Sequence, residues 1–500
     1  MKNHNFPIIL HQSNHFIFCL PMNTRRNFIR TTGIGIAGLA LTRYSNLYGF
    51  PGNSCQIEYS SLRPVIGKRK YTSKAVEEKI AEIKSAISDP EIAWLFENCF
   101  PNTLDTTVTY TEIDGKPDTF VITGDIHAMW LRDSSAQVWP YLPLIKNDET
   151  LRSLIAGVIN RQVRCILLDP YANAFLDGDE ISEWKSDITE MKPGIHERKW
   201  EIDSLCYPIR LAYGYWKTTG DISVFDSKWN DAMELTYATF RVQQRKENPG
   251  PYSFKRTTAW QTDTVPGNGM GNPQRPIGLI CSVFRPSDDA TTFPFLIPSN
   301  YFAVTSLRQL GEISEKITGN KALAAKSLKL ADEVEHALKQ YAIASHLTYG
   351  NVISYEIDGY GNRLMMDDSN VPSLLSLPYL GCIDITDPVY QNTRRFLLSE
   401  DNSWFFKGKA ASGIGSPHTL KDKIWPMTII MQAMTSSNTD EIKSCLQMLK
   451  TTHAGKGFMH ESFNKDNPDD YTRSWFAWAN TLFGELIIKV YTEYPHLLKG

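Results

Sequence analysis

The sequence predicts an all-α fold, an (α/α)6 barrel of six helical hairpins with minor β-hairpins. Three observations predict it. Apolar residues recur at helical spacing from about residue 73 onward. Strand signals are few. The connections alternate between short, plain turns such as Ile145–Thr150 and long loops rich in Trp, Arg and paired acids. The long loops precede every second helix. In an up-down toroid of helix pairs every second helix starts at the same end, so the rich loops converge on one face, as functional loops do on a rigid scaffold. The alternative is an irregular all-α protein whose polar loops merely face solvent.

Taken in order, Val76, Ile80, Ile83 and Ile87 form one face of a first helix, and Leu151, Leu154, Ile155, Val158, Ile159 and Val163 repeat the pattern. Further stripes run Phe302–Ile313, Leu323–Leu338 and Trp475–Val490. Such segments number about twelve, near 75–98, 134–145, 151–167, 204–218, 227–245, 299–318, 321–341, 371–380, 388–399, 423–436, 439–452 and 474–494. Thr106–Tyr110 and Phe120–Ile122 around Asp114-Gly115 read as a hairpin, and Val352–Ile357 as a short strand. No composition break interrupts the chain after residue 60, so residues 50–500 are expected to be one domain.

Lys plus Arg is 52 against 55 for Asp plus Glu, which is no basic footprint, so nucleic acid is not an expected partner. Eight isolated cysteines without a CxxC pair exclude a zinc ribbon or disulfide scaffold. No GxGxxG or GxxxxGK[ST] opens a helix, so nucleotide binding has no support. Residues 1–49 read as an N-terminal extension. Thr-Arg-Arg-Asn-Phe-Ile-Arg at 24–30, followed by apolar Gly33–Leu41, has the shape of a twin-arginine export signal, with Met22 as the start and an exported, periplasmic destination. The competing reading is a basic N-terminus before a buried helix. The apolar run is about half the roughly 20 residues that span a bilayer, so no stable membrane span is expected in the mature chain.

The rich loops carry the chemistry. Loop acids of note are Asp125, Asp133, Glu201, Asp203, Asp288, Asp289, Asp367, Asp368, Glu461, Asp466, Asp469 and Asp470. Taken one at a time, such acids are usually solvated or cap helices, and Asp133, Asp203 and Asn370 are well placed as N-caps. Their company argues for more. Trp130, Trp139, Trp200, Trp425 and Trp475 lie beside them, as do Arg132, Arg285 and Arg473. Flat aromatic faces suit the C–H faces of sugar rings, while carboxylates and guanidinium groups hold neighbouring hydroxyls. The loops therefore point to a carbohydrate site, although a Trp stripe alone would more often be core. Dispersed histidines and an acidic 464–470 loop broken by Pro468 give no metal motif. No GxSxG elbow or Cys/His signature is present. Two carboxylates acting on a glycosidic bond remain the simplest chemistry.

Four blocks go further: Gly124-Asp-Ile-His-Ala-Met-Trp-Leu-Arg-Asp-Ser134, Glu201-Ile-Asp-Ser-Leu-Cys-Tyr-Pro208, Phe284-Arg-Pro-Ser-Asp-Asp289 and Gly457-Phe-Met-His-Glu-Ser-Phe-Asn464. They resemble glycoside hydrolase family 125, from about residue 70 to 495. The resemblance implies an exo-acting, inverting α-1,6-mannosidase with an (α/α)6 fold and no metal or other cofactor. It implies a general acid at Asp203 and a general base at Glu461, and a mannoside of oligosaccharide or N-glycan type as substrate. An inverting pair needs roughly 6.5–9.5 Å between carboxyls to admit a water. The acid should be held protonated by burial near Trp200 and Glu201, and Arg473 should help the base stay ionised. Candidates for holding the terminal sugar are Trp130, Arg132, Asp133, Arg285, Asp288, Asp289, Asp368, Asn370, His418, Trp425, His460, Asn464, Arg473 and Trp475, with His460 expected to orient Glu461. The rival readings are another sugar-active (α/α)6 enzyme (phosphorylase, epimerase or glucosidase) and a non-catalytic glycan-binding protein.

Overall fold

The computed structural model describes residues 59–499, within the compact unit Ile57–Gly500. The proposed address at 24–41 and the start at Met22 lie outside the described residues. The helices, in chain order, are α1 Lys74–Ala86, α2 Pro90–Cys99, α3 Asn102–Thr106, α4 Leu131–Val138, α5 Glu149–Leu168, α6 Ile202–Thr219 and α7 Ser227–Gln243. They continue with α8 Ile297–Lys316, α9 Lys321–Tyr341, α10 Pro388–Leu397, α11 Pro426–Met434, α12 Thr439–Thr451 and α13 Ala477–Glu493.

These helices form the (α/α)6 barrel. An inner ring runs α4, α6, α8, the segment 371–380, α11 and α13. It closes where α13 packs against α4 on one side and α11 on the other. Outer helices α5, α7, α9, α10 and α12 lie outside their inner partners, with α1 and α2 backing α13. Buried side chains from both rings merge into one large apolar core, with Trp200, Trp229 and Tyr207 among its largest members. Among the described residues, no helix is long and apolar enough to cross a membrane.

Capping separates the two rings. The outer helices carry side-chain caps: Ser73, Asp89, Asp148, Asp226, Asn320, Asp387 and Asn438 each accept a first-turn backbone N–H. The inner helices do not. Their N-cap positions hold Trp130, Glu201, Leu296, Trp425 and Phe476, without a capping side-chain hydrogen bond. The positive ends of these helices therefore face the convergence of the long loops, where they favour negative charge. This corrects the expectation that Asp133, Asp203 and Asn370 are N-caps: Asp133 and Asp203 lie inside the first turn, where their carboxylates meet other partners, and no helix follows Asn370.

Asp148 ties two hairpins together, accepting from Leu151 N (2.9 Å) and from the Ser73 hydroxyl (2.6 Å) that itself caps α1. Burial opposes its charge, but hydrogen bonds from Ser73, Leu151, Thr150 and Ala75 hold its pKa down to about 2. Asp148→Ala is expected to cost about 1–2 kcal/mol by urea unfolding at pH 7. Because the folded pKa is depressed, that contribution persists above pH 4 and fades as pH falls toward 2.

Some elements depart from the sequence reading. The first predicted helix breaks at Ser88-Asp89-Pro90, because Pro90 begins a new helix that Asp89 caps. The segment 134–145 is α4 followed by a 3-10 turn, Trp139–Leu144, which holds Pro140 and Pro143. The predicted helix at 371–380 is a chain of turns. Pro372 and Pro378 lack N–H donors, and the Asp367 carboxylate takes the N–H groups of Leu374 and Leu375 (2.9 Å each). The segment keeps the inner-ring position, held by Tyr207 to Val371 O (2.9 Å) and Tyr390 to Leu375 O (2.9 Å).

The hairpin is confirmed as Val108–Ile113 paired with Lys116–Val121, turning through left-handed Asp114 and Gly115 (φ 54° and 73°). Short strands brace the long loops. Met129–Trp130 pairs with Ala174–Phe175, which pairs with Ile195–Glu197; Phe295–Leu296 pairs with Glu356–Ile357; Lys423–Ile424 pairs with Phe463–Asn464.

Candidate active site

At the N-terminal end of the inner ring, several buried carboxylates surround one guanidinium. Arg132, on the first turn of α4, donates from Nη1 to Glu201 (2.5 Å) and to Asp203 Oδ2 (3.3 Å). Its Nη2 lies 3.5 Å from Asp288 Oδ1 and its Nε 3.5 Å from Asp133 Oδ2. Asp203 also accepts from Ser299 on α8 (3.3 Å), so three neighbouring inner helices meet on it. Asp288 accepts from Trp130 Nε1 (3.3 Å) and Asn173 Nδ2 (3.2 Å), and its backbone is left-handed (φ 66°), a conformation that costs a non-glycine residue about 1 kcal/mol or more.

One cation among this many acids leaves excess negative charge in a desolvated space. Burial is the largest influence on Asp203 and raises its pKa; Arg132 and Ser299 oppose it. Glu201 is pushed well above the ordinary carboxylate range, first by burial, against Arg132 and with help from Asp288 and Asp203. Trp200 is core, its indole donating to Cys281 O (2.8 Å); the Glu201 and Asp288 carboxylates beside Arg132 supply the charge that surrounds Asp203.

Glu461 is also buried, 3% exposed. Thr472 donates to its Oε2 (2.9 Å) and Arg473 Nη1 lies 3.5 Å from its Oε1. Arg473 Nη2 donates to Thr123 O (3.0 Å) and pairs with Asp125. The Thr123 hydroxyl donates to Asp133 (2.5 Å), which lies against Arg132. Asp203 and Glu461, far apart in sequence, thus end one continuous polar chain through Arg132, Asp133, Thr123 and Arg473. Gly124 permits the crossing. Its φ is +89°, and a Cβ there would lie 3.4 Å from both Arg473 and the ring of Trp475.

The remaining candidates fall into three settings. Asp289, Asp368 and Asn370 are buried and His418 is half-buried: His418 Nδ1 lies 3.3 Å from Asp289, Ser287 donates to Asp368 (3.1 Å), and the Asn370 amide contacts Ser369 (3.5 Å). Trp425 donates to Thr419 (2.8 Å) with its ring 6.3 Å from that of His418. Arg285 is taken up by Glu356, which accepts from its Nε at 2.6 Å, so its contacts brace the Asp288 turn. Asn464 organises its own loop, accepting from Asp466 N (2.9 Å). Sequence reasoning missed Asn173, Ser299, Thr123 and Glu356. The one available signal was Glu356, an acid inside a short strand-like run. Among the described residues, no three His, Cys, Asp or Glu side chains are grouped to hold a metal ion.

His460 does not contact Glu461 by a hydrogen bond. Its Nδ1 lies 3.1 and 3.0 Å from the carbonyls of Arg473 and Ser474, which can only accept, so Nδ1 carries the proton. The ring stacks on Tyr471 (centroids 4.1 Å apart), fixing the backbone that presents Arg473. Burial pushes its pKa down to about 4, against the two carbonyls. A histidine held neutral stabilises the fold above its ordinary pKa and loses that contribution as pH falls through the folded value. Unfolding free energy is expected to drop by about 3 kcal/mol between pH 7 and 4 from this residue. His460→Asn should start less stable at pH 7 in urea titrations, yet lose less on acidification.

A helical barrel whose inner helix ends gather acids, guanidinium groups and indoles is the scaffold of a glycoside hydrolase. A model of the family described as metal-independent alpha-mannosidase (GH125) matches residues 89–488. The solved structure of a Streptococcus pneumoniae metal-independent alpha mannosidase, a non-productive substrate complex with alpha-1,6-mannobiose, shares 42% identity and a TM-score of 0.82. It covers 85% of this chain and 100% of that one. The meiotically up-regulated gene 157 protein of fission yeast, Schizosaccharomyces pombe, is 43% identical over 456 residues, 87% of this chain and 89% of the relative. The chain belongs to the GH125 metal-independent α-mannosidase family. The expectation of a bacterial periplasmic protein with a twin-arginine signal is corrected: a relative this similar is eukaryotic, so neither the family nor the fold ties the chain to a periplasm.

Proposed function

We propose that this chain is an exo-acting, inverting α-1,6-mannosidase that removes single mannose residues from the non-reducing ends of mannosides such as N-glycan fragments, in one catalytic domain over residues 50–500. Asp203 is the general acid and Glu461 the general base. The observation that carries this reading is the difference between their surroundings. Asp203 is fully buried, with its pKa raised, among Glu201, Asp288 and Arg132, as suits a carboxyl that must arrive protonated. Glu461 instead accepts a hydrogen bond from the Thr472 hydroxyl and lies beside the Arg473 guanidinium.

In the reaction, the Asp203 proton goes to the departing glycosidic oxygen as the bond to C1 breaks. Glu461 removes a proton from a water that attacks C1 from the opposite face. The anomeric configuration inverts, and both carboxyls are reset by proton exchange with solvent. Trp130, Arg132, Asp133, Asp288, Asp289, Asp368, Asn370, His418 and Arg473 surround the terminal sugar, while Arg285, Trp425, His460, Asn464 and Trp475 shape the pocket around them.

Incubation with α-1,6-mannobiose in excess chelator, followed by proton NMR from the first seconds, tests the proposal. β-Mannose is expected first, at a rate indifferent to chelator. No release would reject the activity, α-mannose first would reject inversion, and a requirement for phosphate would make the enzyme a phosphorylase.

A further inference from the structure

We infer that Thr472, itself aimed by Ser462, is a positioning residue for the catalytic base: its hydroxyl fixes one oxygen of Glu461 so that the other is presented to the attacking water. This rests on the reading of Glu461 as the base, given above. Residues 461–473 form a turn whose two limbs are tied by backbone bonds. Thr472 N donates to Ser462 O (3.0 Å), Asn464 N donates to Asp470 O (2.9 Å), and Phe463 bridges Tyr471. The limb Phe463–Asn464 also pairs with Lys423–Ile424, which joins the turn to the loop before α11. Glu461 and Thr472 therefore meet across two paired limbs, on a support that depends on neither side chain.

The two hydroxyls have a fixed direction. Thr472 Oγ1 lies 2.9 Å from Glu461 Oε2 and 2.9 Å from Ser462 Oγ. A carboxylate acting as a base can only accept, so Thr472 spends its one proton on Glu461. Its oxygen then accepts from Ser462, which is fully buried. The chain from Ser462 through Thr472 to Glu461 runs one way, and each bond polarises the next. Oε1 is placed differently. Arg473 Nη1 lies 3.5 Å from it, longer than the roughly 2.7–3.2 Å of a close N–H···O bond. With Oε2 held by the hydroxyl, rotation of the carboxyl is arrested, and Oε1 is the oxygen left to take the proton of water. A carboxyl without that hold would swing, and a misplacement of about 1 Å can cost on the order of 100-fold in rate.

The experiment measures kcat and KM on α-1,6-mannobiose for wild type, Thr472→Val, Thr472→Ser and Ser462→Ala. Val keeps the branched shape without the hydroxyl, and Ser keeps the hydroxyl without the methyl group. In Thr472→Val, kcat should fall about 10- to 100-fold with KM within about twofold; in Thr472→Ser it should return to within about threefold of wild type. Ser462→Ala should lose about 3- to 10-fold in kcat, since the Thr472 hydroxyl can then turn away. A second measurement isolates the route through Glu461. In Glu461→Ala, azide, a nucleophile that needs no base, should cleave 2,4-dinitrophenyl α-mannoside at the same rate, within about twofold, with or without Thr472→Val. Wild-type kcat in Thr472→Val, or a Ser variant as slow as Val, would overturn the positioning role alone. A further loss in the azide reaction would overturn it too, because the hydroxyl would then act without the carboxylate. An unaltered kcat in Ser462→Ala would overturn the part given to Ser462. Absence of mannose release by the wild-type enzyme would overturn the mannosidase reading and this inference with it.

Discussion

Asp203→Asn is expected to lower kcat on α-1,6-mannobiose by about 10³-fold or more, within the range that a positioned acid contributes. The amide fills the same volume and still meets Arg132 and Ser299, so the fold and KM should change little. What it lacks is the proton for the departing oxygen. A mannoside with a good leaving group, such as 2,4-dinitrophenyl α-mannoside, needs no such proton and should be hydrolysed at a rate much nearer to wild type. The alkaline limb of the wild-type pH profile, which reports loss of that proton, should vanish for Asp203→Asn on the activated substrate. Equal losses on both substrates would remove Asp203 from the acid role and leave it as a positioning group beside Arg132.

Glu461→Ala should match that loss, about 10³-fold on both substrates, because activation of water is needed whatever the leaving group. Rescue separates the two residues. Azide is already anionic and fits the space vacated by the side chain, so it needs no base. In Glu461→Ala, azide should restore cleavage of the activated mannoside and yield β-mannosyl azide, the bond to C1 forming on the face opposite the leaving group. The α-azide would contradict inversion, and wild-type turnover by Glu461→Ala without azide would end the assignment of the base. Because acid and base act in one transition state, the double variant should be scarcely slower than either single one.

Much of this site was legible before any coordinates. The periodic stripes marked most helices, and the alternation of plain and rich loops implied that acids from distant segments share one end. The turns at 371–380 escaped because apolar content signals burial equally in helix and turn, while Pro372, Pro378 and the Asp367 carboxylate decide the backbone. The cap assignments for Asp133 and Asp203 failed for a related reason. A cap is defined by one residue of register, and pattern alone does not separate the N-cap from the first turn. Asn173, Ser299 and Thr123 were invisible because their importance lies in whom they meet: Glu201 and Asp288, Asp203, and Asp133 with Arg473.

The helical periodicity, the polar character of one set of loops and the residue types able to handle a sugar are written along the chain, since each depends on local spacing and composition. Which carboxyl shares a guanidinium with other acids and which meets a hydroxyl is decided only by tertiary packing, because desolvation and charge pairing depend on neighbours hundreds of residues away. That Arg132 must serve Glu201, Asp203, Asp288 and Asp133 at once, while Arg473 stands by Glu461, follows from the closure of the ring. This closure brings the first turn of α4 against α6 and α13.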